Sequence, residues 1–377
     1  MRAFNFMKSD TYRDVFTASN FINFIRKYSI VFTVLLWILV VASRILLNGF
    51  VYGLDYSLYH PDGAHYAFRT LSFLTNNDYR AALEVSNWYA AHGIKHNLIV
   101  PSELLPENNP VWNLVATRIF YPILSVPFVL LLGLSGMLVI PVLSLLGLMI
   151  ISNSIGRFYG RAEFGLLFNL ILITSVTVGR WFVANITDGL LTLLLALFVQ
   201  AEIRVSKLRN WSFCIIIIVL LASITRFSLP IFLALGFGYT FLGKFKKAIV
   251  ITLSAIFSAV PLLFFNVNSA FLPGADSQSL AGKIVEFPLQ SVKVLVVEIG
   301  QLMVLDRPLL ILIVFAFFCA AKVQSNTRTL TVCVTLAVIL IGFINGTLGV
   351  NFRYQLPVLP FLAWSFIEYL SVTRKST

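Results

Sequence analysis

Long apolar runs separated by short polar breaks dominate this chain. The runs fall at about 29–48, 113–133, 137–154, 164–183, 187–203, 212–225, 228–243, 248–266, 308–321, 329–346 and 354–371. Most are continuous rather than alternating, so they predict helices and not the strands of a barrel. In lipid a backbone must satisfy its own polar groups, and a helix does this within one segment. The expected fold is therefore an all-α polytopic membrane bundle. Two longer polar inserts interrupt it, 49–112 and 266–307, and neither resembles a separate soluble domain. The 49–112 insert is too long for a simple connector, and its Trp88, Tyr89 and Trp112 suit short helices at a membrane interface. Within 266–307, the part Ser291–Leu305 is amphipathic enough to lie on the surface.

Composition strengthens this picture. The 377 residues are 58% hydrophobic and only 12% charged, with mean hydropathy +0.88. The net charge of +12 is confined to the breaks, as topology signals are, and forms no basic stripe with interleaved aromatics. Nucleic acid is excluded as a partner on that ground. Cys214, Cys319 and Cys333 all sit inside apolar runs, so neither a disulfide framework nor a zinc site is indicated. The first 28 residues are polar and have no cleavage signal after them, so the first run reads as a retained helix.

Lys and Arg sort the breaks. Lys8 and Arg13 near the start, Arg157 and Arg161, Arg204 and Lys207, Lys244 and Lys247, Lys322 and Arg328, and Arg374 and Lys375 all read as cytoplasmic. Both termini are then inside and the number of crossings is even. The 113–133 run contains Pro122, Pro127 and Gly133 and is the one expected to be bent, short or interfacial. About ten crossings is the expectation, with eleven as the alternative. The inserts 49–112 and 266–307 fall on the opposite, external side.

On that external side the chemistry-bearing residues accumulate. The break Tyr59-His60-Pro61-Asp62-Gly63-Ala64-His65-Tyr66 carries a carboxylate where the chain leaves its first helix. Asp62 can take a proton from a hydroxyl. Gly63 permits close approach of the backbone to a ligand and Pro61 stiffens the entry. His60 and His65 flank Asp62, so a divalent metal is the competing reading. The absence of cysteine and of a helical His-x-x-x-His pair argues against metal. Asp188 opens the run Asp188-Gly189-Leu190-Leu191, where it reads either as a helix-start acid or as a second functional carboxylate. Arg180, Arg226 and Arg353 lie in external positions against the usual charge bias. Phosphate recognition by guanidinium forks is a reason for that; snorkelling to headgroups is the plain alternative. No Walker A, Gly-x-Ser-x-Gly or His-Glu-x-x-His sequence is present, so a bound nucleotide is not the expected energy source.

Four stretches together resemble the GT-C superfamily of polytopic glycosyltransferases, in its bacterial and protein-mannosyltransferase-like branches. They are Tyr59 to Phe68, Asn109-Pro110-Val111-Trp112 with Arg118-Ile119-Phe120-Tyr121-Pro122, Arg180 with Thr187-Asp188-Gly189-Leu190, and Arg353-Tyr354-Gln355-Leu356-Pro357. The resemblance implies a polyprenyl-phosphate sugar donor, a glycolipid or glycan acceptor, and a site on the periplasmic face of a bacterial plasma membrane. It makes Asp62 the family's catalytic Asp, expected here as general base, Asp188 its second acidic position and Arg353 a phosphate contact. Arg226, Arg180 and Arg118 are expected beside Arg353 as further donor-phosphate contacts, with His60, His65 and Tyr66 on the acceptor side. No second acid follows Asp62, and no large C-terminal soluble domain is present, which turns the expectation from a polypeptide acceptor to a lipid-linked or cell-surface glycan. A transporter or flippase of lipid-linked sugars would use the same arginines without chemistry, and a polysaccharide polymerase or ligase shares the external loop.

Overall fold

A computed structural model describes residues 18–51, 59–91, 100–108, 115–205, 207–226, 228–264, 292–293, 296–344 and 353–373. Several expected features lie outside these residues: Lys8 and Arg13, Asp55, His92 and His96, Trp112, Asp276 and Glu286, and Arg374 and Lys375. Among the described residues the chain is entirely helical. We number the helices α1 (Ala18–Val51), α2 (Pro61–Thr75), α3 (Asp78–Ala91), α4 (Pro101–Leu104), α5 (Phe120–Leu132), α6 (Val139–Phe158), α7 (Ala162–Thr174), α8 (Val176–Phe182), α9 (Asp188–Arg204), α10 (Leu208–Ser223), α11 (Leu229–Phe241), α12 (Phe245–Phe264), α13 (Val296–Leu305), α14 (Arg307–Lys322), α15 (Ser325–Ile344) and α16 (Leu359–Thr373).

Among the described residues three helical stretches are long and apolar enough to cross a membrane: Ile22–Leu46, Phe120–Phe158 (interrupted at Gly133) and Arg353–Thr373. The pair α7 and α8, bent by 85° at their break, makes a fourth. That is fewer than the ten crossings expected, because many runs form helices shorter than a full span. Helix α11 has 13 residues and α10 and α14 have 16 each. At 1.5 Å per residue these reach about 20–24 Å, against about 30 Å of hydrocarbon. Leu131, Phe241 and Phe257 are 80%, 77% and 70% exposed. Side chains of that size, spread over several helices, suit acyl chains and not water.

The described part of the 113–133 run is short, a 13-residue helix that continues through Pro127, and the break comes at its end. After α5 the chain turns at Gly133, whose φ of 61° favours glycine. It then folds back along α5 as a 3-10 segment, Gly133–Leu138. A Cβ on Gly136 would stand 2.2 Å from the Phe128 carbonyl oxygen, and Tyr121 Oη donates to the Met137 carbonyl at 2.6 Å. So α5 and α6 are not one rod.

The described parts of the 49–112 insert are helical too. Helices α2 and α3 pack on each other and α2 packs on α5. Tyr59, Tyr66, Phe68, Val85, Tyr89 and Tyr121 form a hydrophobic core of their own beside the main bundle. His60 caps α2: its Nδ1 accepts from the Asp62 N–H at 3.2 Å.

Polar groups segregate to two ends of the bundle. At one end Arg26 pairs with Glu163 at 2.7 Å, Arg157 donates to Ser29 Oγ at 2.8 Å, and Arg204 donates to Ser154 Oγ at 2.8 Å. Lys247 and the Trp211 ring N–H both meet Glu202, at 2.6 and 2.8 Å. These are the breaks that read as cytoplasmic. Helix α9 starts at the other end with Asp188 and finishes here with Glu202 and Arg204.

The 85° bend between α7 and α8 is held by one buried carboxylate. Asp306 Oδ2 accepts from Ser175 Oγ at 2.6 Å and from the Thr177 N–H at 2.8 Å. Its Oδ1 accepts from the Leu309 N–H at 3.2 Å. Asp306 therefore satisfies N-terminal donors of α8 and of α14 at once. Arg44 on α1 donates to the Ser175 carbonyl at 3.3 Å. Replacing Asp306 with Ala strands two buried backbone donors and should cost about 2–4 kcal/mol. A thermal melt of the detergent-solubilised protein should show the loss, with Asp306→Asn intermediate. An unchanged midpoint in Asp306→Ala would mean that the bend is fixed by packing alone.

Candidate functional site

The bend aims α8 across the bundle, and five residues, 183–187, connect it to α9. Asp188 is thereby delivered as a buried residue at the first position of α9. No side chain caps this helix at Thr187. Nor does the Asp188 carboxylate merely face the dipole. Its Oδ1 takes a contact from Arg226 Nη1, and its Oδ2 accepts from Arg353 Nε at 3.2 Å. Arg226 comes from the turn between α10 and α11, and Arg353 opens the 3-10 segment before α16. All three side chains are under 10% exposed. The helix-start reading of Asp188 gives way to one in which it gathers two guanidinium groups from distant parts of the chain.

Arg353 also reaches out of the bundle. Its Nη2 lies 2.7 Å from Asp62 Oδ2. Asp62 is 50% exposed on its side chain while Arg353 is 5% exposed, so the ion pair runs from the interior to an accessible carboxylate. Four of the expected residues, Asp62, Asp188, Arg226 and Arg353, thus form one continuous chain of charges.

Aromatic rings frame it. The Arg353 guanidinium stands 5.4 Å from the Trp181 ring and 5.7 Å from Tyr354. Arg226 is 4.8 Å from Tyr354, and Arg180 is 4.8 Å from Trp181. His60 contacts the other side of Trp181 with ring centroids 5.7 Å apart. Arginine on an aromatic face keeps its fork free for an anion. Trp181 and Tyr354 were not singled out in the sequence, although each directly follows a candidate arginine.

The remaining expected residues surround Asp62. His65 and Tyr66 follow it by three and four positions on α2, on the same helix face. Tyr66 Oη lies 3.4 Å from Thr187 Oγ1 and accepts from Arg118 Nη1 at 2.9 Å. Asn185 joins the insert to the bundle: its Oδ1 accepts the His60 N–H at 2.8 Å and its Nδ2 donates to Tyr89 Oη at 2.7 Å. The role expected of Gly63 changes here. A Cβ at Gly63 would stand 2.1 Å from Asn185 Oδ1, so the close approach is to Asn185 and not to a ligand. No short-range sequence signal marks Asn185, because its partners are far away in the chain.

Electrostatics follow from this geometry. Partial burial raises the proton affinity of Asp62, but Arg353, His60 and Arg226 outweigh it and hold the carboxyl well below the usual carboxylate range. Burial lowers the proton affinity of His60 and of His65, each opposed in part by Asp62. Both imidazoles are then neutral near pH 7. Among the described residues no group of three or more His, Cys, Asp or Glu side chains converges as a metal would require.

The two acids should differ in stability. Asp188→Asn leaves two buried guanidinium groups without their shared carboxylate and should cost about 3–5 kcal/mol. Asp62→Asn should cost at most about 1 kcal/mol, because the pair is half open to solvent. A depressed carboxyl contributes above its unfolded value and loses that contribution only as pH falls through the folded value. The small Asp62 term should therefore persist at pH 5 and fade below about pH 4. Melting midpoints of both variants across that pH range check the ranking; equal losses would overturn it.

Comparison with protein-family models, with characterised proteins and with solved structures finds no match to this chain, so the site is read from its own geometry.

Proposed function

We propose that the chain is a membrane glycosyltransferase, moving a sugar from a polyprenyl-phosphate donor to a hydroxyl of a lipid-linked or cell-surface glycan. The observation that carries the reading is the bridge made by Arg353 between buried Asp188 and accessible Asp62. A half-open carboxylate beside anchored guanidinium groups is what a displacement needs when an alcohol must be deprotonated and a phosphate must leave. The apolar exterior supports a lipid-borne substrate. A groove of about 380 Å³ between α10 and α12, lined by residues such as Ile216, Leu220, Leu253 and Phe257, offers room for a prenyl tail. Helix α10 leads directly into the turn carrying Arg226. The cationic breaks at the opposite end of the bundle support a site on the external face of a bacterial plasma membrane, with cytoplasmic termini.

In the mechanism, the acceptor oxygen attacks the anomeric carbon and its proton passes to an Asp62 oxygen. The bond from the anomeric carbon to the phosphate oxygen breaks in line, and the electron pair leaves with polyprenyl phosphate. Arg353 and Arg180, held on Trp181, receive the developing charge, and Arg226 fixes Asp188 so that Arg353 is oriented. Before the donor arrives, Arg353 makes Asp62 a weak base. A phosphate that engages Arg353 draws its charge from Asp62, so the base strengthens once the donor is in place.

The flippase reading is favoured by one feature, the broken pair α7 and α8, since interrupted helices recur where transporters bind their cargo. One comparison separates the two. Asp62→Asn should lower sugar transfer by about 10²–10⁴ while leaving donor affinity in place. Arg353→Lys should weaken transfer as well, because an ammonium cannot bridge two carboxylates and a phosphate as a fork does. Purified protein in liposomes with radiolabelled polyprenyl-phosphate sugars and membrane lipid extract provides the assay. Wild-type turnover by Asp62→Asn would remove it from the chemistry, and transbilayer movement without turnover in the wild type would establish the flippase.

A further inference from the structure

Four arginines surround the two acids, but they are not equivalent. Arg226 and Arg353 are both engaged by carboxylates. Arg180 and Arg118 have no carboxylate within ion-pair distance among the described residues. Around the two acids, then, two of the four guanidinium groups are without a carboxylate in ion-pair contact among the described residues.

The two arginines come from different elements and touch different partners. Arg180 comes from α8 and lies on Trp181, whose ring meets His60. Arg118 comes from the segment before α5 and meets Tyr66, four residues after Asp62 on α2. Both histidines feel Asp62. Two cationic places thus adjoin the Asp62 helix. The first adjoins Arg353, where the leaving phosphate is needed. The second is built around Arg118: Nη1 donates to Tyr66 Oη, whose ring is fully packed against Tyr121 with centroids 5.5 Å apart. Nε is buried without a partner. Tyr66 reaches Thr187, next to Asp188, so this place is tied to the same constellation. Besides Asp62, the acid whose field reaches His65 is Glu103, exposed on α4 and without an ion pair to Arg118 among the described residues. A half-buried guanidinium held on a tyrosine, with a free donor and no counter-ion, is prepared for an anion.

We propose that Arg118, with His65 and Tyr66 beside it, forms a second anion subsite that receives a phosphate on the acceptor, so that the acceptor is a phosphate-bearing glycolipid and not a neutral glycan. The inference rests on the glycosyltransferase reading for the word acceptor, but the subsite itself does not. His65 and Tyr66 lie one helical turn beyond Asp62, about 5.4 Å along the axis. An acceptor anchored by its phosphate at Arg118 then lays its hydroxyl over Asp62, on the side away from the donor phosphate. The acceptor hydroxyl and the leaving phosphate then meet the anomeric carbon from opposite sides, as an in-line displacement requires.

Binding and turnover test the two claims separately. Isothermal titration of the wild type with farnesyl phosphate in neutral detergent should find two equivalents bound, with Arg118→Gln retaining one and Arg180→Gln losing the other. Arg118→Lys, which keeps the charge, should retain both with weaker affinity and guards against a misfolded Gln variant. One equivalent in the wild type, or two in a folded Arg118→Gln, overturns the subsite. In the transfer assay, Arg118→Gln should raise KM for a phosphate-bearing lipid acceptor at least tenfold more than for the same acceptor after phosphatase treatment. Equal effects on the two acceptors overturn the acceptor assignment. Two equivalents with no turnover on any acceptor would retain the subsite and remove the glycosyltransferase reading.

Discussion

Asp188 is the constraint on which the site depends. A carboxylate that is only 2% exposed on its side chain cannot stay ionised in an apolar bundle without close cations, and cations there cannot stay without it. The solution is reciprocal. Arg226 and Arg353, separated from Asp188 by 38 and 165 residues, are drawn to one point at the start of α9. That point fixes three otherwise independent parts of the chain: the bent α7–α8 pair with its connection, the turn before α11, and the 3-10 segment before α16. Only the outer side of Arg353 is left for other use, and Asp62 occupies it.

The rest of the fold places that point where it can act. Asp306 holds the 85° turn by satisfying backbone donors of two helices, so α8 presents Trp181 instead of continuing α7. Asn185 then docks the polar insert onto the bundle through His60 and Tyr89, and Gly63 is small because that contact leaves no room for a side chain. The insert has its own aromatic core, which lets Asp62 stand at a defined position on a rigid helix and not on a loose loop. At the far end, Glu202, Glu163 and their basic partners complete a separate polar layer. Between the two layers, buried polar side chains such as Ser144, Asn169, Thr192 and Ser365 are uncharged, so they do not compensate the charges at either end.

Much of this was legible in the sequence, and for definite reasons. Continuous apolar runs determined helices, because backbone groups in lipid have no other way to be satisfied. Gly133 marked the break after α5, since a positive φ is a local property, whereas Pro127 lies within an unbroken helix. Asp62, Asp188, Arg226 and Arg353 stood out because ionisable groups are rare in such a composition and costly to place there. Crossing number was less legible. Hydropathy reports how apolar a run is, while the helix that forms stops wherever a cap or a turn intervenes, as Asp306 and Ser175 do. What tertiary structure alone decided is who partners whom. The sequence offered Arg226 and Arg353 for phosphate; the fold adds that both are anchored by Asp188, and it leaves Arg118 and Arg180 without a carboxylate in ion-pair contact among the described residues. It assigned Gly63 to a ligand, but the fold gives that space to Asn185. Charge type and scarcity are local facts of the sequence. Charge neutralisation and steric fit depend on distances between residues far apart in the chain, which only packing sets.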